Sequence, residues 1–367
     1  MKRKVLIASH AVFTSQNVDV HGSAHAIYDY LLDNKYQVIF IMHPLFGKFM
    51  TKIIRNKKET YVKFLSIHPL FRYIQEFFYN ILACWNERDS KPLYIGVDPL
   101  NIAAGVLARK LGFVEKCVFY IPDFMEKRSE NSFLNGFYFL LDWLGITFSD
   151  DVWCASPRII QAKGAQGYAS KKFFLLVNAP RYSQLKGTKH NKFHLMCVGN
   201  IDTGLSNDLI ISAMPTLLKK FPQITLTLIG PNDQLVKEKS LVKKLKLDGK
   251  VIFAGVMPHK KLMETLQTGG IGLALYNGTT MNNPYGDSIK IREYLACHLP
   301  VITTPLVVTS ELIQKYRVGY VSQLRKTDVT HAVEDILGNY PTFTKNMALV
   351  RQENDFDKYM VEALKRV

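Results

Sequence analysis

The chain has 367 residues, 47% of them apolar, enough for two globular domains with sizeable cores and too apolar for a disordered or fibrous protein. Lys and Arg outnumber Asp and Glu by 22 to 15 in residues 1–178 and by 25 to 16 beyond, for a net charge of +16. An excess spread over both halves excludes a single basic tail and favours anionic partners: nucleotides, phosphates or an anionic membrane surface.

The start, MKRKVLIASHAVF, has the basic head and apolar run of a leader peptide, but Ser9 and His10 break the run, so a first β-strand is expected at 5–9. A helix near 23–34 and a strand VIFIM (38–42) follow. Residues 44–92 are basic and aromatic, a mix suited either to amphipathic helices on a sheet or to an anionic bilayer. LYIGV (93–97) precedes a helix at about 100–111, and CVFYI (117–121) precedes a helical region over 131–146. That region, within SFLNGFYFLLDWLGITF, is too short and too interrupted by Asp142 to span a membrane. DVWCAS (151–156) and FFLLV (173–177) close the first half. Residues 178–192 are polar and basic with Pro and Gly, and read as a linker. The rhythm restarts with strands at 193–199, 224–230, 251–255, 271–276 and 300–304, helices near 206–220, 233–246 and 258–268, and a further helix in DSIKIREYL before the last strand. The β-α-β alternation predicts an α/β protein of two tandem doubly wound, Rossmann-like domains, 1–180 and 190–341, with a helical end over 342–367. Two such sheets joined by one linker suggest a cleft, with ligands at the carboxyl ends of the strands. The cysteines Cys84, Cys117, Cys154, Cys197 and Cys297 are odd in number and hold no C-x-x-C pair, which points to a reducing compartment and a cytoplasmic protein.

Candidate residues collect after predicted strands. Gly22 and Ser23 open a helix whose backbone N–H groups can meet an anion, with Ser23 as its N-cap and His21 and His25 alongside. Asp98 follows a strand and can cap the helix begun by Pro99 or face a ligand. Asp123 follows another strand as a carboxylate candidate. Gly199 and Asn200 form a strand–loop–helix turn of the phosphate-binding kind, with Gly204 beside them and Ser206 as a cap, although no G-x-G-x-x-G is present. In NNPYGDSIKIREYL (282–295), Asp287 or Ser288 can cap a helix that carries Lys290 in its first turn. A cation there opposes the helix dipole unless an anion such as a pyrophosphate sits beside it. Glu293, one turn deeper, can accept two hydrogen bonds from ribose hydroxyls, or form a plain surface pair with Lys290. The D-x-D at Asp355–Asp357 reads as helix surface, so no metal is expected, and no nucleic-acid module pattern is present.

The succession VGN, ITLTLIG, VIFAGVMPHKKLMETLQTGGIGLALY and DSIKIREYLACHLPVITT resembles the C-terminal domain of GT-B glycosyltransferases of the family 4-like branch, also called group 1, and HGSAHAIYDYLL resembles the first loop and helix of their N-terminal domain. The resemblance implies a GT-B enzyme that moves a hexosyl group from a nucleoside-diphosphate sugar to a glycan or lipid-linked acceptor. It implies retention, independence of metal and of any other cofactor, and a role in cell-surface polysaccharide or glycolipid synthesis. Glu293 then matches the ribose-binding glutamate, Gly286–Ser288 the loop at donor sugar and phosphates, and Asp123 a polar position near the sugar. The acceptor is expected on the first domain near His21 and Asp98, residues 342–367 are expected to return to that domain, and the enzyme is expected to sit peripherally on the inner membrane face. Three departures stand out: Tyr285 replaces a glutamate eight residues before Glu293, Asn200 and Thr203–Leu205 replace the usual Arg and Lys, and Ala296–Cys297–His298 replaces a turn that ends in Gly. Lys290 is therefore expected to supply the missing phosphate cation. A sugar-nucleotide epimerase and a non-catalytic GT-B binding module are the alternatives.

Overall fold

The computed structural model describes residues 3–13, 19, 21–45, 50–65, 69–181, 185, 190–199, 204–231, 234–279 and 284–367. The chain divides into two compact units, Met1–Val177 with Asp357–Val367, and Asn178–Phe356.

The first unit runs β1 (Lys4–Ala11), α1 (Ser23–Asp33), β2 (Gln37–Pro44), β3 (Thr51–Arg55), β4 (Lys58–Val62), α2 (Pro69–Asn86), β5 (Leu93–Val97), α3 (Pro99–Lys110), β6 (Lys116–Ile121), α4 (Ser132–Phe148), β7 (Asp151–Cys154), α5 (Pro157–Ala165) and β8 (Phe173–Leu175). Its sheet has the order β4-β3-β2-β1-β5-β6-β7-β8. The strands from β2 to β8 through β1 are parallel and read as continuous apolar runs because both faces are covered. The edge β3–β4 is an antiparallel hairpin, which the sequence rhythm did not suggest. Asn56 and Lys57 turn it with φ of 49° and 67°, the left-handed pair of a tight hairpin turn.

Helix α2 turns a polar row inward, beside the buried Ala83 and Cys84. Arg72, Glu76 and Asn80, four apart on one face, are buried, whereas Phe71, Ile74, Phe78 and Leu82 are exposed. The inward face meets polar groups at the point where the sheet order reverses, between β1 and β5. His10 Nδ1 lies 2.7 Å from Asp98 Oδ2 and its Nε2 lies 3.1 Å from Glu76 Oε2, so both ring nitrogens donate and the ring is an imidazolium. Burial opposes that charge, but Asp98 and Glu76 outweigh it and push the pKa up to about 10. Asn80 donates to Asn101 Oδ1 at 2.8 Å, and Asn101 donates to Asp98 Oδ2 at 2.8 Å. His43, level with His10 in the β1–β2 register, donates from Nε2 to Asn80 Oδ1 (3.0 Å) and accepts at Nδ1 from Thr51 (2.9 Å). Burial keeps that ring neutral and pushes its pKa down to about 4.

The second unit runs β9 (His194–Val198), α6 (Asn207–Lys220), β10 (Thr225–Ile229), α7 (Leu235–Lys244), β11 (Val251–Gly255), α8 (His259–Leu266), β12 (Ile271–Ala274), α9 (Ile289–Ala296), β13 (Val301–Thr303), α10 (Ser310–Tyr316), β14 (Gly319–Val321), α11 (Lys326–Gly338) and α12 (Tyr340–Val350). All its strands are parallel, in the order β11-β10-β9-β12-β13-β14, the doubly wound order of a dinucleotide-binding fold. Strand alternation divides the core: Leu195 and Cys197 of β9 join the cluster under α6 and α11, and Met196 and Val198 join the cluster under α9. The ladder between β9 and β12 stops at the Cys197–Leu273 pair. Beyond it, the Tyr294 hydroxyl fills the gap, accepting from Val198 N at 2.7 Å and donating to Leu273 O at 3.2 Å.

Two boundaries differ from the sequence reading. Asn178, Ala179 and Arg181, expected to begin a linker, are buried, and Asn178 N donates to Asp287 Oδ2 at 2.8 Å. Of the tail 342–367, only residues 357–367 group with the first unit. Helix α12 stays with the second because Met347 and Val350 fill its core. The last helix, α13 (Phe356–Lys365), buries Met360 and Ala363, and Arg366 grips Asp151 through two 2.8 Å bonds. The D-x-D flanks the first residue of this helix, with Asp357 in its first turn.

Asp287 and Arg292 form a buried pair, Arg292 Nε lying 2.7 and 2.8 Å from the two carboxylate oxygens. Arg292→Ala is expected to strand the buried carboxylate and cost about 3–5 kcal/mol, read as a lower midpoint in denaturant. The two histidines predict opposite limbs of the pH–stability curve. His10, raised from 6.5, stabilises fully below 6.5 and loses that contribution as pH rises to about 10. His43, lowered from 6.5, stabilises above 6.5 and loses that contribution as pH falls to about 4. Thermal unfolding against pH should show His10→Gln flattening the alkaline limb and His43→Gln the acid one.

Candidate active site

Glycines line the carboxyl edge of the second sheet. Gly199 follows β9 with φ of 128° and Gly230 follows β10 with φ of 134°, conformations that side chains disfavour. A Cβ on Gly230 would lie 2.0 Å from the Gly199 carbonyl oxygen, so the two turns nest only because Gly230 lacks a side chain. Gly199 N donates to Ile229 O at 3.0 Å, and Gly230 N to Gly255 O at 2.9 Å. The carboxyl end of β9 is therefore bare backbone at the reversal point of the sheet order, where ligands bind in open α/β sheets.

Helix α9 supplies the side chains around it. Ser288 is its N-cap, accepting from Ile291 N at 3.3 Å and sharing a 2.7 Å hydrogen bond with the Tyr276 hydroxyl. Lys290 extends over Gly199: a Cβ there would lie 2.3 Å from its Nζ. The ammonium also sits 5.2 Å from the centre of the Tyr276 ring. Among the described residues no carboxylate pairs with Lys290, although the first turn of a helix is an unfavourable place for a cation. Glu293, one turn deeper, is buried and lies 2.7 Å from His259 Nε2. His259 opens α8 and is partly exposed. A buried carboxylate beside an unpaired cation, at an edge of bare backbone, is an arrangement able to take a diphosphate and a diol together.

The other predicted residues divide. Asp287 is withdrawn from the site, because both its oxygens go to Arg292 and one also accepts from Asn178. Gly286 spends its carbonyl on Val308 N at 3.2 Å. Asn200 lies outside the described residues. His298, at the turn that ends in glycine in the resembled family, has φ of 60°, a conformation glycine would adopt more cheaply.

In the first unit, Gly22 and not Ser23 is the N-cap of α1, and Ser23 is the first helical residue. The Gly22 N–H is already spent on His25 Nδ1 at 3.1 Å. His25 in turn donates to Asp19 at 2.7 Å and stacks with His21 at a centroid distance of 5.1 Å. The His25 hydrogen bond and Lys52 hold the Asp19 carboxyl well below the usual range. Asp98 takes the capping role: Oδ1 accepts from Leu100 N and Asn101 N, each at 3.1 Å, and Oδ2 serves His10 and Asn101. It does so with φ of 77°, a strained value for a non-glycine residue. Asp123 is half exposed and paired with Arg128, whose guanidinium lies 4.7 Å from the Tyr138 ring centre.

His10, Glu76, Tyr276 and His259 were missed in the sequence. The spacing of Arg72, Glu76 and Asn80 was the available signal for the first network. For His259 it was a histidine placed just beyond a predicted strand.

Residues 179–349 match the family profile described as glycosyl transferases group 1. No curated protein matches the chain in sequence. Among solved structures, HepE of Anabaena, crystallised with UDP and glucose, matches with a TM-score of 0.69 and 13% identity over 100% of both chains. Sucrose-phosphate synthase of Thermosynechococcus elongatus matches with a TM-score of 0.70 and 14% identity, over 99% of this chain and 98% of that one. WaaG, a glycosyltransferase involved in lipopolysaccharide biosynthesis, matches with a TM-score of 0.66 and 15% identity over 98% of both chains. Residues 179–349 thus carry the profile of the group 1 glycosyl transferases, and the two sheets share the GT-B fold of these glycosyltransferase structures.

Proposed function

We propose that this enzyme transfers a hexosyl group from a nucleoside-diphosphate sugar to a glycan or lipid-linked acceptor, with retention, in the synthesis of cell-surface polysaccharide or glycolipid. The observation that carries the reading is the Lys290 ammonium over Gly199, with Glu293 one turn deeper. Departure of the diphosphate develops negative charge, and a fixed cation beside bare backbone stabilises that charge as it forms. In this reading Lys290 fills the role at the diphosphate that a metal fills in other transferases. Glu293 holds the ribose hydroxyls through the oxygen that His259 leaves open. Ser288 and its Tyr276 partner fix the start of the helix against the phosphates. Asp123, paired with Arg128, is assigned the polar role toward the sugar in this reading. HepE, crystallised with UDP-glucose, supports a nucleoside-diphosphate sugar as the donor class. The acceptor belongs to the first domain, on the side of His21 and Asp98. Five free, buried cysteines fit a reducing, cytoplasmic setting.

Lys290→Ala is expected to lower kcat/KM for the donor by at least about tenfold, or about 1.4 kcal/mol. Unchanged kcat/KM with the preferred donor would remove Lys290 from the diphosphate. A thermal-shift panel of nucleotide sugars comes first, because the true donor stabilises the fold by mass action. Glu293→Gln should abolish most of that shift, and His259→Ala should reduce it. A donor lacking the ribose 2′-hydroxyl should make the His259 variant indistinguishable from the parent.

A further inference from the structure

The outer side of the three-helix layer in the first unit is apolar. Helix α3 packs between α2 and α4. The outward row of α2 was described above; Phe78 within it is 62% exposed. Helix α4 presents a second row at helical spacing, Phe133, Phe137, Leu140 and Trp143, with Phe133 78% exposed. Leu107 and Leu111, also exposed, lie in and just after α3 between the two rows. A face of this size, rimmed by polar groups, marks an interaction surface.

Its rim is basic. At the carboxyl end of α4, Lys110 Nζ lies 4.3 Å from the Phe148 ring centre and Lys172 Nζ donates to Thr147 O at 2.8 Å. The nearby acidic groups Glu130 and Asp150 are paired with Lys127 and Arg109. Large apolar side chains flanked by lysine suit the boundary between acyl chains and anionic headgroups. A second copy is the poorer occupant, because each chain carries +16 and self-pairing would bring Lys110 and Lys172 of both copies into one interface.

We infer that the outer faces of α2 and α4 are a docking surface for an anionic lipid bilayer. This deepens the lipid-linked acceptor reading and rests on it for its purpose, but the test uses neither donor nor acceptor, so the two can fail separately. The full chain is floated with phosphatidylcholine vesicles, with and without phosphatidylglycerol, at low and high salt. Flotation is expected only with phosphatidylglycerol, weakened by salt. It should be lost in Phe78→Asp with Phe133→Asp, whose unfolding temperature and donor-induced shift stay as in the parent. Lys110→Glu with Lys172→Glu keeps the apolar rows and should lose the salt-sensitive part. Failure of the parent to float, equal flotation with neutral vesicles, or flotation indifferent to both double variants would overturn the inference. So would light scattering that finds a dimer which Phe78→Asp with Phe133→Asp splits.

Discussion

The buried pair of Asp287 and Arg292 sets where everything in the second domain's site can stand. Arg292 does more than neutralise a carboxylate: its Nη1 donates to Glu353 O and Asn354 Oδ1, each at 3.0 Å, and Asn354 returns a 3.0 Å bond to Arg292 O. The loop entering α9, the start of the connecting segment at Asn178 and the turn at 351–354 thus share one charge-assisted knot. Such a pair contributes little net stability in a core, but it tolerates few alternative geometries. Ser288, Lys290 and Glu293 follow it within six residues, on a helix whose other end is bolted to the sheet by Tyr294.

The two sheets have the same topological reversal and fill it in opposite ways. In the first, His10 and Asp98 meet there, and their hydrogen-bonding capacity is consumed by Glu76, Asn101 and the backbone of α3. In the second, glycines hold the same place, and the nearest charge is a lysine without a carboxylate partner among the described residues. A saturated polar cluster fixes a framework; an unsaturated one attracts a ligand. Topology marks both locations as candidates, and only hydrogen-bond satisfaction distinguishes them.

Much of this was legible in the sequence wherever one residue type forced one local outcome. LYIGV and VIFAG are strands β5 and β11 to the residue, because each apolar run ends abruptly at Asp98 or at Gly255. Lys290 near Gly199 also followed from the fold class, since the loops after β9 and β12 flank the reversal. The hairpin β3–β4 was hidden by the charges on TKIIRNKKETYV, which mask its alternation. Asp287 looked like a helix cap because its partners are remote: Asn178 is 109 positions away and becomes a neighbour only in three dimensions. Contact between His259 and Glu293, 34 positions apart, is equally a product of packing between α8 and α9.

The inverted character of α2 bears on how the first domain assembles. A helix normally joins a sheet because apolar burial draws it in. Here Ala83 and Cys84 are buried together with Arg72, Glu76 and Asn80, and the polar three must shed water before they gain their partners. Part of the docking free energy is therefore conditional on these hydrogen bonds forming together. Anything that binds its outer face only while these bonds are formed stabilises the folded unit, so a surface that recruits the protein would also strengthen its fold.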